Sequence, residues 1–251
     1  MRKALVLLLL LGATVGLGAA AGPPPYDPVR LAHVGDARQL IVVTGGSRSS
    51  TSATLRTYQL GPGGEWTARF PAMAARIGYA GWVPADARRQ GTGTTPAGTF
   101  TLTTAFGLAA NPGTAMGYRH VDGTDYWVGD DRDPKTYDIF QPTASPHRSW
   151  RLSQAEHLAD YPVQYAYAIM IDFNRPAAST IAWRADRGEY VTNHPADVRR
   201  GSAIFLHVSG RGSTAGCVSI ARTDLVRVLR WLDPAQRPRI VMAPIAEIDD
   251  V

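Results

Sequence analysis

This chain has one cysteine, Cys217, in 251 residues. A lone thiol cannot close an internal disulfide, so no disulfide framework holds the fold together. Lysine is nearly missing as well: Lys3 and Lys135 are the only two, and arginine carries the positive charge. The longest basic pairs are Arg88-Arg89 and Arg199-Arg200, and the formal net charge is only +5. A groove for nucleic acid needs a denser basic footprint than that, so no nucleic-acid partner is expected. None of the 6 histidines falls in a His-Glu-x-x-His or similar ligand spacing, so no metal is expected. Asp130-Asp131-Arg132-Asp133 lacks the glycine and the distal glutamate of a calcium loop, and reads as a solvated turn. The glycines at 45–46 and 61–64 lack phosphate-binding spacing and read as turns. No internal repeat is visible.

The N-terminus reads differently from the rest. Met1-Arg2-Lys3 is followed by an apolar run from Ala4 to Leu17 and then by small residues, Gly18 to Gly22. Basic, apolar and small segments in that order form a secretory signal, here residues 1–21. The run falls short of the roughly 20 residues a membrane span needs, so no stable membrane insertion is expected after cleavage. An uncleaved N-terminal anchor is the competing reading. No cysteine follows the run, which excludes a lipid anchor of that kind. Residues 22–38, opening on Pro23-Pro24-Pro25, form an extended lead. Residues 39–251 are long enough to bury a core without disulfides. Without Arg2 and Lys3 the charge is about +3, so the expected product is a mildly basic protein exported to the cell envelope.

Glycine, proline, threonine and short apolar runs dominate the remainder, which predicts a mainly β domain built as a meander or sandwich with a few short helices. Strands are expected at 40–44, 53–60, 65–70, 99–102, 165–173, 202–208 and 239–243. Pro96-Ala97-Gly98 predicts a turn just before the fourth of these. Residues 107–160 lack periodicity and read as an irregular insertion over a cleft. Within it, Ser153 to Asp160 carries the signature of a short capped helix. Leu225, Val228, Leu229 and Leu232 share one helical face, in a helix capped by Thr223 and stopped by Pro234.

His207 ends a core strand, and Cys217 follows a glycine-rich loop, Ser209-Gly210-Arg211-Gly212-Ser213. A free thiol near pKa 8.5 is only about 3% thiolate at pH 7. A histidine within reach takes the proton and leaves a thiolate–imidazolium pair that attacks carbonyl carbon. Gly216 lets the backbone come close, so the N–H groups of Gly216 and Cys217 are candidate oxyanion donors, and a backbone carbonyl near Ser209 is a candidate partner for the imidazole. The competing reading is a buried cysteine acting as a small hydrophobe beside a core histidine. Export weighs against it, because an idle thiol outside the cytoplasm is a liability.

Chain order narrows the choice. Papain-like and NlpC/P60-like peptidases place cysteine before histidine, the reverse of this chain. Sortases place it after, and His157 and Arg227 fall at sortase-like spacings, but Thr214-Ala215-Gly216-Cys217 lacks their motif. His207 followed by Ser213-Thr214-Ala215-Gly216-Cys217-Val218-Ser219 resembles the active-site motif of L,D-transpeptidases of the YkuD type. Thr95-Pro96-Ala97-Gly98-Thr99-Phe100 is similar to the Thr-Pro-x-Gly-x-Phe element of the same family. Two positions depart from it: Ala215 stands where the family motif has histidine, and Ser219 where it has Asn or Arg. The gap from His207 to Cys217 is also short. The resemblance implies acyl transfer on peptidoglycan stem peptides. Cys217 would expel D-alanine from a tetrapeptide stem and an amine would resolve the thioester into a 3→3 cross-link, with His207 as base. It further implies possible carboxypeptidase activity with water, no metal or other cofactor, and acylation of Cys217 by carbapenems. A sortase-like transpeptidase and a non-catalytic wall-binding domain are the rival readings. Trp127 and Tyr137 could line a peptide cleft or simply fill a core, and Arg222 could meet a substrate carboxylate or be a surface charge.

Overall fold

The computed structural model describes residues 24–251. The signal segment expected at 1–21 lies outside the described residues. Among the described residues no helix is long and apolar enough to cross a membrane.

The architecture is mainly β, and most of it is one sheet. Its first strands are β1 (Gln39–Gly45), β2 (Ser52–Leu60), β3 (Trp66–Ala68), β4 (Met73–Arg76), β5 (Trp82–Pro84) and the long β6 (Thr95–Gly107). Short strands follow: β7 (Gly117–His120), β8 (Tyr126–Val128), β9 (Phe140–Gln141) and β10 (Ala155–His157). The second half of the chain contributes β11 (Ala168–Ile171), β12 (Ile181–Arg184), β13 (Glu189–Thr192), β14 (Phe205–Val208), β15 (Val218–Ile220) and β16 (Arg239–Pro244). The large sheet runs β1-β16-β6-β11-β14-β15-β4-β2, and β2 pairs back onto β1. The main path therefore closes on itself, and only the short strands β3, β5 and β7 flank it with a single partner each.

Closure gives the sheet an inside. Leu40, Ile41, Val42 and Val43 of β1 are all buried, as are Ile240, Val241 and Met242 of its parallel neighbour β16. The one α-helix among the described residues, α1 (Arg222–Trp231), contributes Leu225, Val228 and Leu229 to the same core, and Leu232 just beyond it is buried too. Each such aliphatic side chain adds roughly 1.5–3 kcal/mol relative to an exposed one. The helical face read from the sequence is thus the packed face. Its cap differs: Ala221 stands at the N-cap with no side-chain bond, because the chain turns into the helix directly after β15, two residues ahead of Thr223.

A second, smaller core lies on the outer face of β6, β11 and β14. It gathers Phe106, Trp127, Phe140, Leu158, Tyr165, Met170 and Phe205. Segment 107–160 supplies much of its cover, and it is not irregular throughout. β8 pairs with β9 and with β10 in a three-stranded sheet. Strands of two to four residues are too short to leave a periodic trace in sequence. The expected helix over Ser153 to Asp160 is instead β10 between two single 3-10 turns, since pairing with Tyr126–Val128 satisfies its backbone. Pro96-Ala97-Gly98 likewise lies inside β6, paired with β5 and β16, and is not a turn. The acidic run is not fully solvated either: Asp130 is buried and ion-paired with Arg151, which holds its carboxyl down at about 2.

Candidate active site

β14 and β15 run parallel, with Leu206 opposite Val218 and His207 opposite Ser219. Strand alternation then assigns the faces. Leu206, Val208, Val218 and Ile220 point into the main core, whereas Phe205 and Cys217 belong to the outer cluster. His207 and Ser219 share that outer face. The connection through residues 209–217 is short for a parallel pair, which ordinarily needs a dozen or more residues. It succeeds by leaning on neighbouring chain: Thr214 bridges to Gly78, its N–H donates to Ile77 (2.9 Å), and its carbonyl accepts from Tyr79 (2.8 Å).

The outcome is a cleft of about 320 Å³ with Cys217, His207 and Ser219 from the sheet. Loop residues 210–215 form one wall, and Glu156, Tyr161, Gln164 and Tyr165 form another. The two motifs singled out in the sequence meet beside it. The Thr95 hydroxyl donates to the Gly216 carbonyl (2.8 Å) and accepts from the Gly78 N–H (2.8 Å).

Cys217 is 9% exposed. Its Sγ donates to the Ala203 carbonyl (3.2 Å) and accepts from the Phe205 N–H (3.4 Å). Burial pushes the thiol up to about 12, and the Phe205 N–H only partly offsets it. His207 Nδ1 donates to the Val208 carbonyl (2.8 Å). A carbonyl only accepts, so Nδ1 carries the proton and Nε2 holds the free lone pair. Burial lowers the imidazole pKa, and the Tyr165 ring stands edge-on to it at 5.7 Å between centroids. At rest the site therefore holds a neutral thiol and a neutral imidazole. The expected thiolate–imidazolium pair is not the resting arrangement, because both groups are desolvated and the thiol's proton is engaged by Ala203.

Other expected residues fall elsewhere. The carbonyl near Ser209 that orients the imidazole is that of its neighbour Val208, and the Ser209 hydroxyl donates to Ser219 (3.2 Å). The Gly216 N–H is taken by the Thr214 hydroxyl (3.1 Å), so it does not face an oxyanion. Gly216 is needed for a different reason. Its φ is +139°, and a Cβ there would meet Arg88 Nη2 and the Thr94 carbonyl, each at 2.9 Å. Trp127 and Tyr137 are both buried and neither lines the Cys217 cleft: Trp127 stacks on Phe106, donates to Asp138 (2.6 Å) and borders a neighbouring depression, and Tyr137 donates to Gln90 (2.8 Å). Arg222 lies over the Tyr167 ring (5.4 Å), outside the cleft. His157 is bound to Asp160 and Gly123, and Arg227 to Asp224, so neither reaches Cys217 and no sortase-like trio forms.

Three residues were not legible as site residues. Arg88 is buried directly behind Gly216, donating to the Thr94 and Arg200 carbonyls (3.0 and 2.6 Å), and its charge attracts that of a Cys217 thiolate. In sequence its only signal was the Arg88-Arg89 pair. Asp138 accepts from the Ala203 N–H (2.9 Å), and so braces the residue whose carbonyl holds the thiol. Glu156 accepts from the Tyr165 hydroxyl (2.8 Å), and burial raises its pKa. Among the described residues, no three His, Cys, Asp or Glu side chains gather where a metal ion could be held.

A thiol and an imidazole on one cleft floor can carry out covalent acyl transfer. Comparison with protein families agrees with that chemistry: the model of the L,D-transpeptidase catalytic domain, YkuD, matches residues 38–241. The chain belongs to this family, whose members are L,D-transpeptidases and so acyltransferases. Comparisons with curated proteins and with solved structures give no match.

Proposed function

We propose that this protein is an exported cysteine acyltransferase that acts on peptidoglycan stem peptides. Cys217 attacks the L,D-peptide bond between stem residues 3 and 4, D-alanine leaves, and a thioester remains. An amine from a second stem resolves it into a 3→3 cross-link; water in its place gives a carboxypeptidase. His207 Nε2 takes the thiol proton and returns it to the leaving amine. With the Gly216 N–H committed to Thr214, the oxyanion falls to the Cys217 N–H.

The observation that carries this reading is the shared cleft. Cys217 and His207 line one cavity, and the Val208 carbonyl fixes the imidazole tautomer that leaves Nε2 basic. Family membership supports the reaction class. Substrate entry must turn the thiol from the Ala203 carbonyl toward His207. Arg88 then replaces part of the help that Ala215, in place of the motif histidine, no longer gives.

Incubation with disaccharide-tetrapeptides tests it. Mass spectrometry is expected to find 3→3 dimers or tripeptides with the wild type and neither with Cys217→Ala. Absence of both products from both proteins would favour a wall-binding module. Equal amounts from both would remove Cys217 as nucleophile.

A further inference from the structure

Transpeptidation needs places for two stems, and the cleft has a neighbour. A second depression, also about 320 Å³, is lined by Gln90, Trp127, Gly129, Gln154 and Ala155. It shares Glu156, Tyr161, Ser202 and Ala203 with the cleft that holds Cys217. The two are therefore halves of one groove, and Glu156 and Ala203 stand where they join. Ala203 supplies the carbonyl that holds the thiol, so the junction lies beside the nucleophile.

Glu156 is an unusual residue to find there. A recessed carboxylate is costly unless it is paired. Its one side-chain hydrogen bond comes from the Tyr165 hydroxyl, and no cation offsets its desolvation. The nearest way to complete such a site is an incoming positive charge. Arg211 sits on the opposite side, on the loop wall of the Cys217 cleft, and is exposed. A cation there suits the terminal carboxylate of a donor stem. The charges thus sort the two halves: carboxylate end toward Arg211, ammonium end toward Glu156.

We propose that the second depression seats the acceptor stem, and that Glu156 binds its primary ammonium group beside the thioester. The inference rests on the acyl-transfer reading above. The step balances as follows. The ammonium gives one proton to the Glu156 carboxylate, and the free amine attacks the thioester carbonyl. The new C–N bond forms, the C–S bond breaks, and the second nitrogen proton passes through His207 to the departing sulfur. Amide, thiol and protonated Glu156 result, and Glu156 returns its proton to water. Without Glu156 the acyl-enzyme still forms, but water competes better for it.

Glu156→Gln keeps an acceptor for the Tyr165 hydroxyl and removes the charge. Gln154→Trp, at an exposed position, fills the second depression and leaves Glu156 in place. Both variants and the wild type are given a carbapenem and then tetrapeptide muropeptides over a range of acceptor concentrations. Both variants are expected to remain acylated by the carbapenem, Glu156→Gln no more slowly than wild type, because the lost charge is one that raises the Cys217 thiol. The ratio of 3→3 dimer to hydrolysed tripeptide is expected to fall about tenfold to a hundredfold in Glu156→Gln, the range for losing a hydrogen bond to a charged group. It is expected to fall as well in Gln154→Trp. An unchanged ratio in either variant overturns the proposal. So does loss of carbapenem acylation in a folded Glu156→Gln, which would assign Glu156 to the thiol. A wild type that is neither acylated nor productive removes the underlying reading, and this one with it.

Discussion

The buried thiol makes a sharp kinetic prediction. Cys217 has a pKa of about 12 against roughly 8.5 for free cysteine, so its thiolate fraction at pH 7 is lower by about three and a half orders of magnitude. A more basic thiolate is also a better nucleophile, with a Brønsted slope of about 0.4–0.5, which returns about one and a half orders. The net expectation is alkylation by iodoacetamide roughly a hundredfold slower than free cysteine at pH 7. The rate should rise about tenfold per pH unit through pH 10. His207→Ala supplies the perturbation. The thiol's proton is held by Ala203, so this variant should alkylate within about twofold of wild type. Acyl transfer by the same variant should fall by about 10²–10⁴, the usual worth of a general base. Alkylation followed by intact mass across pH 6–10 measures all of this. A rate at or above that of free cysteine, a plateau below pH 9, or a strong loss of alkylation in His207→Ala would refute the reasoning. Each would mean that a thiolate–imidazolium pair exists before substrate arrives.

Three further outcomes follow from the same geometry. Gly216→Ala places a Cβ against Arg88 and the Thr94 carbonyl at positive φ, and should cost at least about 1–3 kcal/mol in denaturant unfolding together with acyl transfer. Burial raises the Asp138 carboxyl to about 6, so the folded state binds its proton more tightly than the unfolded chain does. The associated stability is full below pH 4 and is lost as pH rises through 6, about 3 kcal/mol at most; Asp138→Asn should flatten the wild-type fall between pH 4 and 8 by that much in urea titrations. Arg88→Met removes the buried cation behind Cys217, and should slow carbapenem acylation about tenfold or more, while Arg89→Met, on the exposed neighbour, should leave it unchanged.

Parts of this site were legible in the sequence because they rest on local pattern. An apolar run, Ile204-Phe205-Leu206, ending in His207 marks a core strand with a functional end. Gly216 before Cys217 marks a close backbone approach. The i, i+3, i+4, i+7 leucine and valine pattern marks the packed face of α1. What could not be read depends on contacts distant in sequence. The sheet closes through β1 and β2 at a register no local run declares. Arg88 reaches Gly216 and Arg200 across more than a hundred residues of chain, and locally it is only one half of a basic pair. Glu156 sits in a three-residue strand whose partner, β8, is equally short. Which carbonyl near Ser209 holds the histidine, here that of Val208, is a matter of one imidazole rotamer, which residue order does not encode.

The central claim is that Cys217 carries the acyl group. Its most direct test is to mix wild-type protein with a tetrapeptide stem, quench in acid during turnover, and map the adduct by mass spectrometry. The account predicts a tripeptide acyl group, lacking D-alanine, on the Cys217 peptide, and no adduct in Cys217→Ala. An adduct on another residue, or cross-linked product from Cys217→Ala, would contradict it.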